Sequence, residues 1–176
     1  EARDSTTLEK TGTDYEVSPK YWVPSDEVER HLQSKNWKLD WLIGWRNVAS
    51  AHNLRTMIVG AFPRGGVGNS MPLVFPSQSI SRKKVAALLC NLSSLCLDFC
   101  ARQKVGGVNL SQSYVAQFPI LPPSAYSEAD IAFIVPRVLE LTYTSQSMAP
   151  FARDLGYEGP PFAWDDDRRA RLRAEL

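Results

Sequence analysis

Cysteine and histidine are scarce in this 176-residue chain, three and two respectively. No apolar run approaches the roughly 20 residues that a membrane-spanning helix needs. The opening Glu1 to Thr7 also lacks the apolar region of a signal peptide. A soluble, cytoplasmic protein with no membrane partner is expected. Cys90, Cys96 and Cys100 are odd in number and fall within one expected helix, a poor geometry for pairing. They read as small buried hydrophobes in a reducing compartment. His31 and His52 have no cysteine or acid at metal-ligand spacing, which argues against zinc and leaves each as an exposed or locally bonded histidine.

Other catalytic patterns are missing too. A magnesium nuclease wants clustered carboxylates followed by a lysine, and here the acids are confined to the flanks. Asp165-Asp166-Asp167 reads as a helix start. There is no Gly-x-Ser-x-Gly elbow. The run Gly65-Gly66-Val67-Gly68-Asn69-Ser70 lacks the lysine of a phosphate-binding loop, and Met71 stands where a dinucleotide fingerprint needs its last glycine, so a hairpin turn is the expectation. Leu121-Pro122-Pro123-Ser124 and Gly159-Pro160-Pro161-Phe162 lack the Asn, Asp or Ser that must precede the prolines to accept a hydrogen bond from a target amine. No catalytic residue and no metal ligand is assigned.

What the chain does have is a polarised charge. Between Lys35 and Lys104 stand ten basic residues (Lys35, Lys38, Arg46, Arg55, Arg64, Arg82, Lys83, Lys84, Arg102 and Lys104) against Asp40 and Asp98. That segment carries +8 and the remainder −7, within a whole-chain value of +1. A polyanion such as DNA is the expected partner, met by a continuous exposed cationic surface. Arg46, Asn47, Asn53, Arg55, Thr56, Asn109 and Gln112 add the side-chain types that pair with base edges, arginine with guanine and Asn or Gln with adenine. The alternative for Arg46, Arg55 and Arg102 is structural, bonding loop carbonyls or the few nearby acids. Arg82-Lys83-Lys84 at a helix start opposes the helix dipole unless an anion compensates, and can equally be a solvated face.

The patterning predicts an α+β fold: a small mixed or antiparallel sheet packed against a long helix, with a C-terminal helical extension. Trp41 to Val48 and Thr56 to Phe62 read as strands, with Met71 to Phe75 returning as a third. Helical spacing runs from an N-cap at Ser81 to about Gln103 through Val85, Leu88, Leu89, Leu92, Leu95, Cys96, Phe99 and Cys100. A polar loop follows Gly106-Gly107 over Val108 to Val115. A second helix should begin at Ser127 with Asp130 as capping partner, and Pro136 should kink or restart it. The divisions expected are a tether over 1–20 entering from an upstream domain, a core over 21–124, and a helical extension over 125–176 that stops in mid-pattern. The chain thus reads as a fragment of a larger protein.

Several strings together resemble a known family. They are Tyr21-Trp22-Val23-Pro24, Trp41-Leu42-Ile43-Gly44-Trp45-Arg46-Asn47-Val48, and Asn53-Leu54-Arg55-Thr56-Met57-Ile58 leading to Phe62-Pro63. Asn91-Leu92-Ser93-Ser94, Asp98-Phe99, Arg102-Gln103-Lys104, Gly106-Gly107 and Gln117-Phe118-Pro119-Ile120 continue the pattern. From about Lys20 onward the chain resembles the C-terminal specificity region of large single-chain restriction-modification DNA methylases. The resemblance implies a non-catalytic target-recognition domain for double-stranded DNA, serving an adenine-N6 methyltransferase with or without attached endonuclease activity. The partners implied are duplex DNA and the upstream methyltransferase domain of the same chain, which would hold S-adenosylmethionine; no cofactor is assigned to this chain. On that resemblance Arg55-Thr56 and Arg102-Gln103-Lys104 are framework or phosphate-contacting positions. Bases would be read from loops around Arg64 to Ser70 and Asn109 to Tyr114. The candidate DNA-binding residues are Arg46, Asn47, Arg55, Thr56, Arg64, Asn69, Arg82, Lys83, Lys84, Arg102, Lys104, Asn109 and Gln112. The competing reading is a protein-protein scaffolding module that docks on the methylase domain or on an acidic partner.

Overall fold

The apolar run from Trp41 becomes the middle strand of a three-stranded antiparallel sheet, and all five of its residues are buried. The computed structural model describes residues 6–17, 19 and 21–176. Of the expected tether, positions 1–5, 18 and 20 lie outside the described residues. In chain order the helices are α1 (Thr7–Thr11), α2 (Ser25–Ser34), α3 (Arg82–Ser93), α4 (Leu95–Lys104), α5 (Gln112–Val115), α6 (Glu128–Thr142), α7 (Ala149–Asp154) and α8 (Asp166–Glu175). The strands are β1 (Trp41–Trp45), β2 (Val59–Pro63) and β3 (Leu73–Val74). The fold is α+β, with α3 packed between the sheet and α6. No single helix among the described residues is long and apolar enough to cross a membrane.

Sheet order is β2-β1-β3. The glycine-dense segment is therefore not a hairpin turn: β3 pairs with β1, Leu73 opposite Gly44 and Val74 opposite Ile43, and not with β2. The connection leaves β2 at Pro63, opposite Trp41, and must travel the length of β1 before β3 begins. Its last residue closes on β1 beside Gly44, where a Cβ would lie 2.8 Å from the Pro72 carbonyl oxygen that accepts from the Trp45 amide, so this close pairing favours glycine. The second strand starts later than its pattern suggests, at Val59 rather than Thr56. The Thr56 and Met57 amides donate instead to the Asp98 carboxylate at 2.8 and 2.7 Å.

The long helix expected from Ser81 to Gln103 is two helices. Ser81 caps α3 as expected, its hydroxyl accepting from the Lys84 amide. At Ser94 the backbone turns extended, and the Ser94 hydroxyl caps a new helix by accepting from the Leu97 amide. The two axes differ by 54°. The break resets the helical phase: Val85, Leu89 and Leu92 are buried, whereas Leu95 and Phe99 are each 64% exposed. Cys96 is also exposed and Cys100 half-buried, so only Cys90 is the buried hydrophobe anticipated for all three.

Within the stretch expected to be a polar loop, Gln112–Val115 forms the short α5. Ser127 and Asp130 form the anticipated capping box of α6. That helix continues through Pro136 without restarting. Its buried positions Ile131, Val135, Val138 and Leu139 form one stripe against α3. Each such side chain contributes about 1.5–3 kcal/mol of burial. Asp165 caps α8 by accepting from the Arg168 amide at 2.8 Å, as the acidic run suggested.

Two apolar clusters meet along the sheet. The larger gathers Trp37, Trp41, Leu42 and Ile43 with Val85, Leu89, Ile131, Val138 and Phe151, so residues 125–176 share one core with the sheet. The smaller gathers Trp45, Met57, Leu92, Leu97, Ala101, Leu110 and Phe118. Buried tryptophans need a partner for the indole N–H. Trp37 donates to the Trp41 carbonyl, Trp41 to Asp154, and Trp45 to the Leu110 carbonyl.

Candidate nucleic-acid interface

Past Trp45 the chain leaves β1, and three separate loops are tied to it there by backbone hydrogen bonds. The Asn47 amide donates to the Ser70 carbonyl at 2.8 Å, and the Asn47 carbonyl accepts from the Leu110 amide at 2.7 Å. Ala49 donates to the Val108 carbonyl at 3.0 Å, and Val48 forms an antiparallel bridge with Asn109. Arg46 donates its amide to Ile58. Segments far apart in sequence thus converge at one end of the sheet. Arg46, Asn69, Asn109 and Gln112 are exposed there. Lys104, exposed at the end of α4, flanks the group through a 3.4 Å contact with Gln117.

Asn47 itself is half-buried, and its Oδ1 is enclosed with no hydrogen-bond donor. Its backbone holds the loops together. Thr56 is fully buried, its amide on Asp98 and its hydroxyl on the Ser50 carbonyl. A base edge cannot reach it. Both positions carry the framework.

Three candidate arginines are committed internally. Arg55 donates to the Ser93 carbonyl at 2.6 Å and lies 3.3 Å from Asp98. Arg102 donates to the carbonyls of Ala51 and Leu54 and lies 3.4 Å from the other Asp98 oxygen. Asp98, 5% exposed, is the hub that fixes the loop before β2 onto α4. Burial by itself pushes its carboxyl up, but the Met57 amide, the Arg55 charge and the Thr56 amide outweigh this and hold it below its ordinary value. Arg64 pairs with Glu29 and Asp40 and bonds the Leu39 carbonyl, at the opposite end of β1.

A continuous cationic surface does not form. Besides these three, Arg82, Lys83 and Lys84 sit at the first turn of α3, with Arg82 bonded to Gln78. The rest of α3, Val85 to Ser93 and about 14 Å long, separates them from the loops beyond Trp45. What the structure brings together is Arg46, Asn69, Lys104, Asn109 and Gln112; what it sets apart is Arg64 and the Arg82 to Lys84 cluster. The role of Asp98 escaped sequence reasoning. Its signal was the four-residue spacing to Arg102 on one helix, together with its isolation among bases.

Comparison with protein-family models, with curated proteins and with solved structures gave no match.

Proposed function

We propose that this chain is a target-recognition domain for double-stranded DNA, cytoplasmic and non-catalytic, serving a restriction-modification adenine methyltransferase. The observation that carries the reading is the convergence on Asn47. The two loops that the family resemblance marks as base-reading, around Arg64 to Ser70 and Asn109 to Tyr114, are joined through Ser70 and Leu110 to that one residue. They place Asn69, Asn109 and Gln112 beside Arg46 and Lys104, amides for adenine edges and cations for phosphates. In this reading methyl transfer from S-adenosylmethionine belongs to an upstream domain, and no residue here is assigned to the cofactor. Arg55, Thr56, Arg64 and Arg102 act as framework.

Duplex affinity measured against salt in the parent enzyme tests this. Arg46→Ala and Lys104→Ala should each lower the slope of log affinity on log salt by about 1. Asn109→Ala should relax the preference for one sequence by about 1–3 kcal/mol at the position it reads. Unchanged slopes and unchanged sequence preference in all three variants would overturn the proposal and favour the scaffolding reading.

A further inference from the structure

The outer side of β2, the C-terminal turns of α3 and α6, and the helix α8 enclose a half-open cavity of about 350 Å³. Its lining includes Arg55, Arg169 and Arg173 and contains no aspartate or glutamate. Ser93 and Ser94 also line it, and most of the remaining wall is apolar, with Val59, Leu89 and Val138.

The arginines differ in how they are held. Arg55 covers the carbonyls of Ser93 and Ser94, so the end of α3 does not present bare negative charge to the cavity. Arg173 donates its Nε to the Arg169 carbonyl at 3.2 Å. Arg169 has its Nε and Nη1 enclosed with no hydrogen-bond partner, and its guanidinium carbon lies 3.8 Å from the centre of the Trp164 ring. Asp166 and Glu140 are near enough to favour its charge, but neither bonds it: Asp166 accepts from the Trp164 indole at 2.9 Å. Glu140 takes both contacts from Arg168, at 2.8 and 2.9 Å, and Glu175 accepts from Arg137 at 2.6 Å. Burial, and then the neighbouring Arg173 charge, pull the Arg169 guanidinium below its ordinary value. Two guanidiniums on a wall without carboxylate side chains favour an oxyanion, whose oxygens match the fork geometry of arginine.

We propose that this cavity binds a small organic anion, its phosphate or carboxylate oxygens held by Arg169 and Arg173 and its apolar body by the walls on β2, α3 and α6. A cavity of this size falls at the small end of ligand sites. The site does not rest on the DNA reading: of the candidate DNA-binding residues only Arg55 lines it, and that reading uses Arg55 as framework.

Titration calorimetry on the full chain tests the site with phenyl phosphate, benzoate and inorganic phosphate as probes. Phenyl phosphate or benzoate should bind saturably, at least ten-fold tighter than inorganic phosphate, and comparing the two names the oxyanion. Arg169→Met should weaken the better probe at least ten-fold. It should also leave the ligand-free melting temperature within about 4 °C, the shift that 1 kcal/mol brings at this size. Arg169→Lys keeps the charge without the fork and should weaken binding several-fold in a folded protein, which covers the case of a methionine variant that fails to fold. The proposal is overturned by absence of saturable binding at about 10 mM probe, or by binding that is indifferent to both Arg169→Lys and Arg173→Met. Displacement of the probe by a short DNA duplex would also overturn it, since these guanidiniums would then belong to the nucleic-acid face.

Discussion

Replacing Asp98 by alanine should be among the most damaging single changes in this protein. Its Oδ1 accepts from two backbone amides, Thr56 and Met57, at residues that are 0% and 1% exposed. Each buried amide left without an acceptor costs about 1–3 kcal/mol. Arg55 and Arg102 lose their carboxylate as well, but at 28% and 33% side-chain exposure water can reach them, so their share is a fraction of a kcal/mol. Asp98→Ala is therefore expected to cost about 3–5 kcal/mol. Asp98→Asn keeps an oxygen for the two amides and loses only the charge, so about 1–2 kcal/mol is expected. Urea unfolding followed by tryptophan fluorescence measures both. With a slope of about 2 kcal/mol per molar urea, the midpoint should fall by about 2 M for the alanine variant and by less than about 1 M for the asparagine variant. The native carboxyl lies below its ordinary value, so its contribution is fully present above the unfolded aspartate value near 4 and is lost as pH falls through the native value. Below about pH 4 the native midpoint should thus decline faster than that of Asp98→Asn. Equal damage from both substitutions, or an alanine cost under about 1 kcal/mol, would refute the hub.

The backbone carries two further tests. Gly44→Ala should cost about 1–3 kcal/mol because its Cβ meets a main-chain oxygen at 2.8 Å that cannot swing away, while Gly60→Ala, with nothing within 4 Å, should be neutral or stabilising in the same urea assay. Pro136→Ala should stabilise by about 1–3 kcal/mol, since Pro136 is exposed inside α6 and removal of the ring restores a helical N–H; a loss of stability would show that the ring is needed.

How much was legible in the sequence depended on whether the signal was local. Trp41 to Trp45 is apolar throughout because β1 is covered on both faces, and a run of that kind is visible without context. Ser81, the Ser127 and Asp130 pair, and Asp165 cap their helices within three residues, so the chain spells them out. The break at Ser94 was hidden because Asn91 to Cys96 keeps helical spacing while a serine hydroxyl quietly offers a second start. Sheet order was hidden for a different reason. Nothing in Gly65 to Ser70 says which strand the chain returns to, and the close approach at Gly44 is set by Pro72, 28 positions away.

The same distinction governs the candidate site. A count of bases along the chain treats every arginine as a surface charge, yet Arg55, Arg64 and Arg102 each bond main-chain carbonyls that a planar, always-charged fork can hold and a lysine holds poorly. Their acids are distant in sequence in two of the three cases, Asp98 for Arg55 and Glu29 for Arg64, so the pairing is invisible until the fold closes. Of the ten bases between Lys35 and Lys104, the seven outside these pairs are five lysines, three of them (Lys83, Lys84 and Lys104) in the first turn of α3 or the last turn of α4, with Arg46 and Arg82; Arg46 alone among the arginines stands on the converging loops. A DNA contact through this face must then draw its selectivity from Arg46 and the amides of Asn69, Asn109 and Gln112. Its charge dependence should be modest, a salt slope set by two or three cations rather than by the ten that the sequence displays.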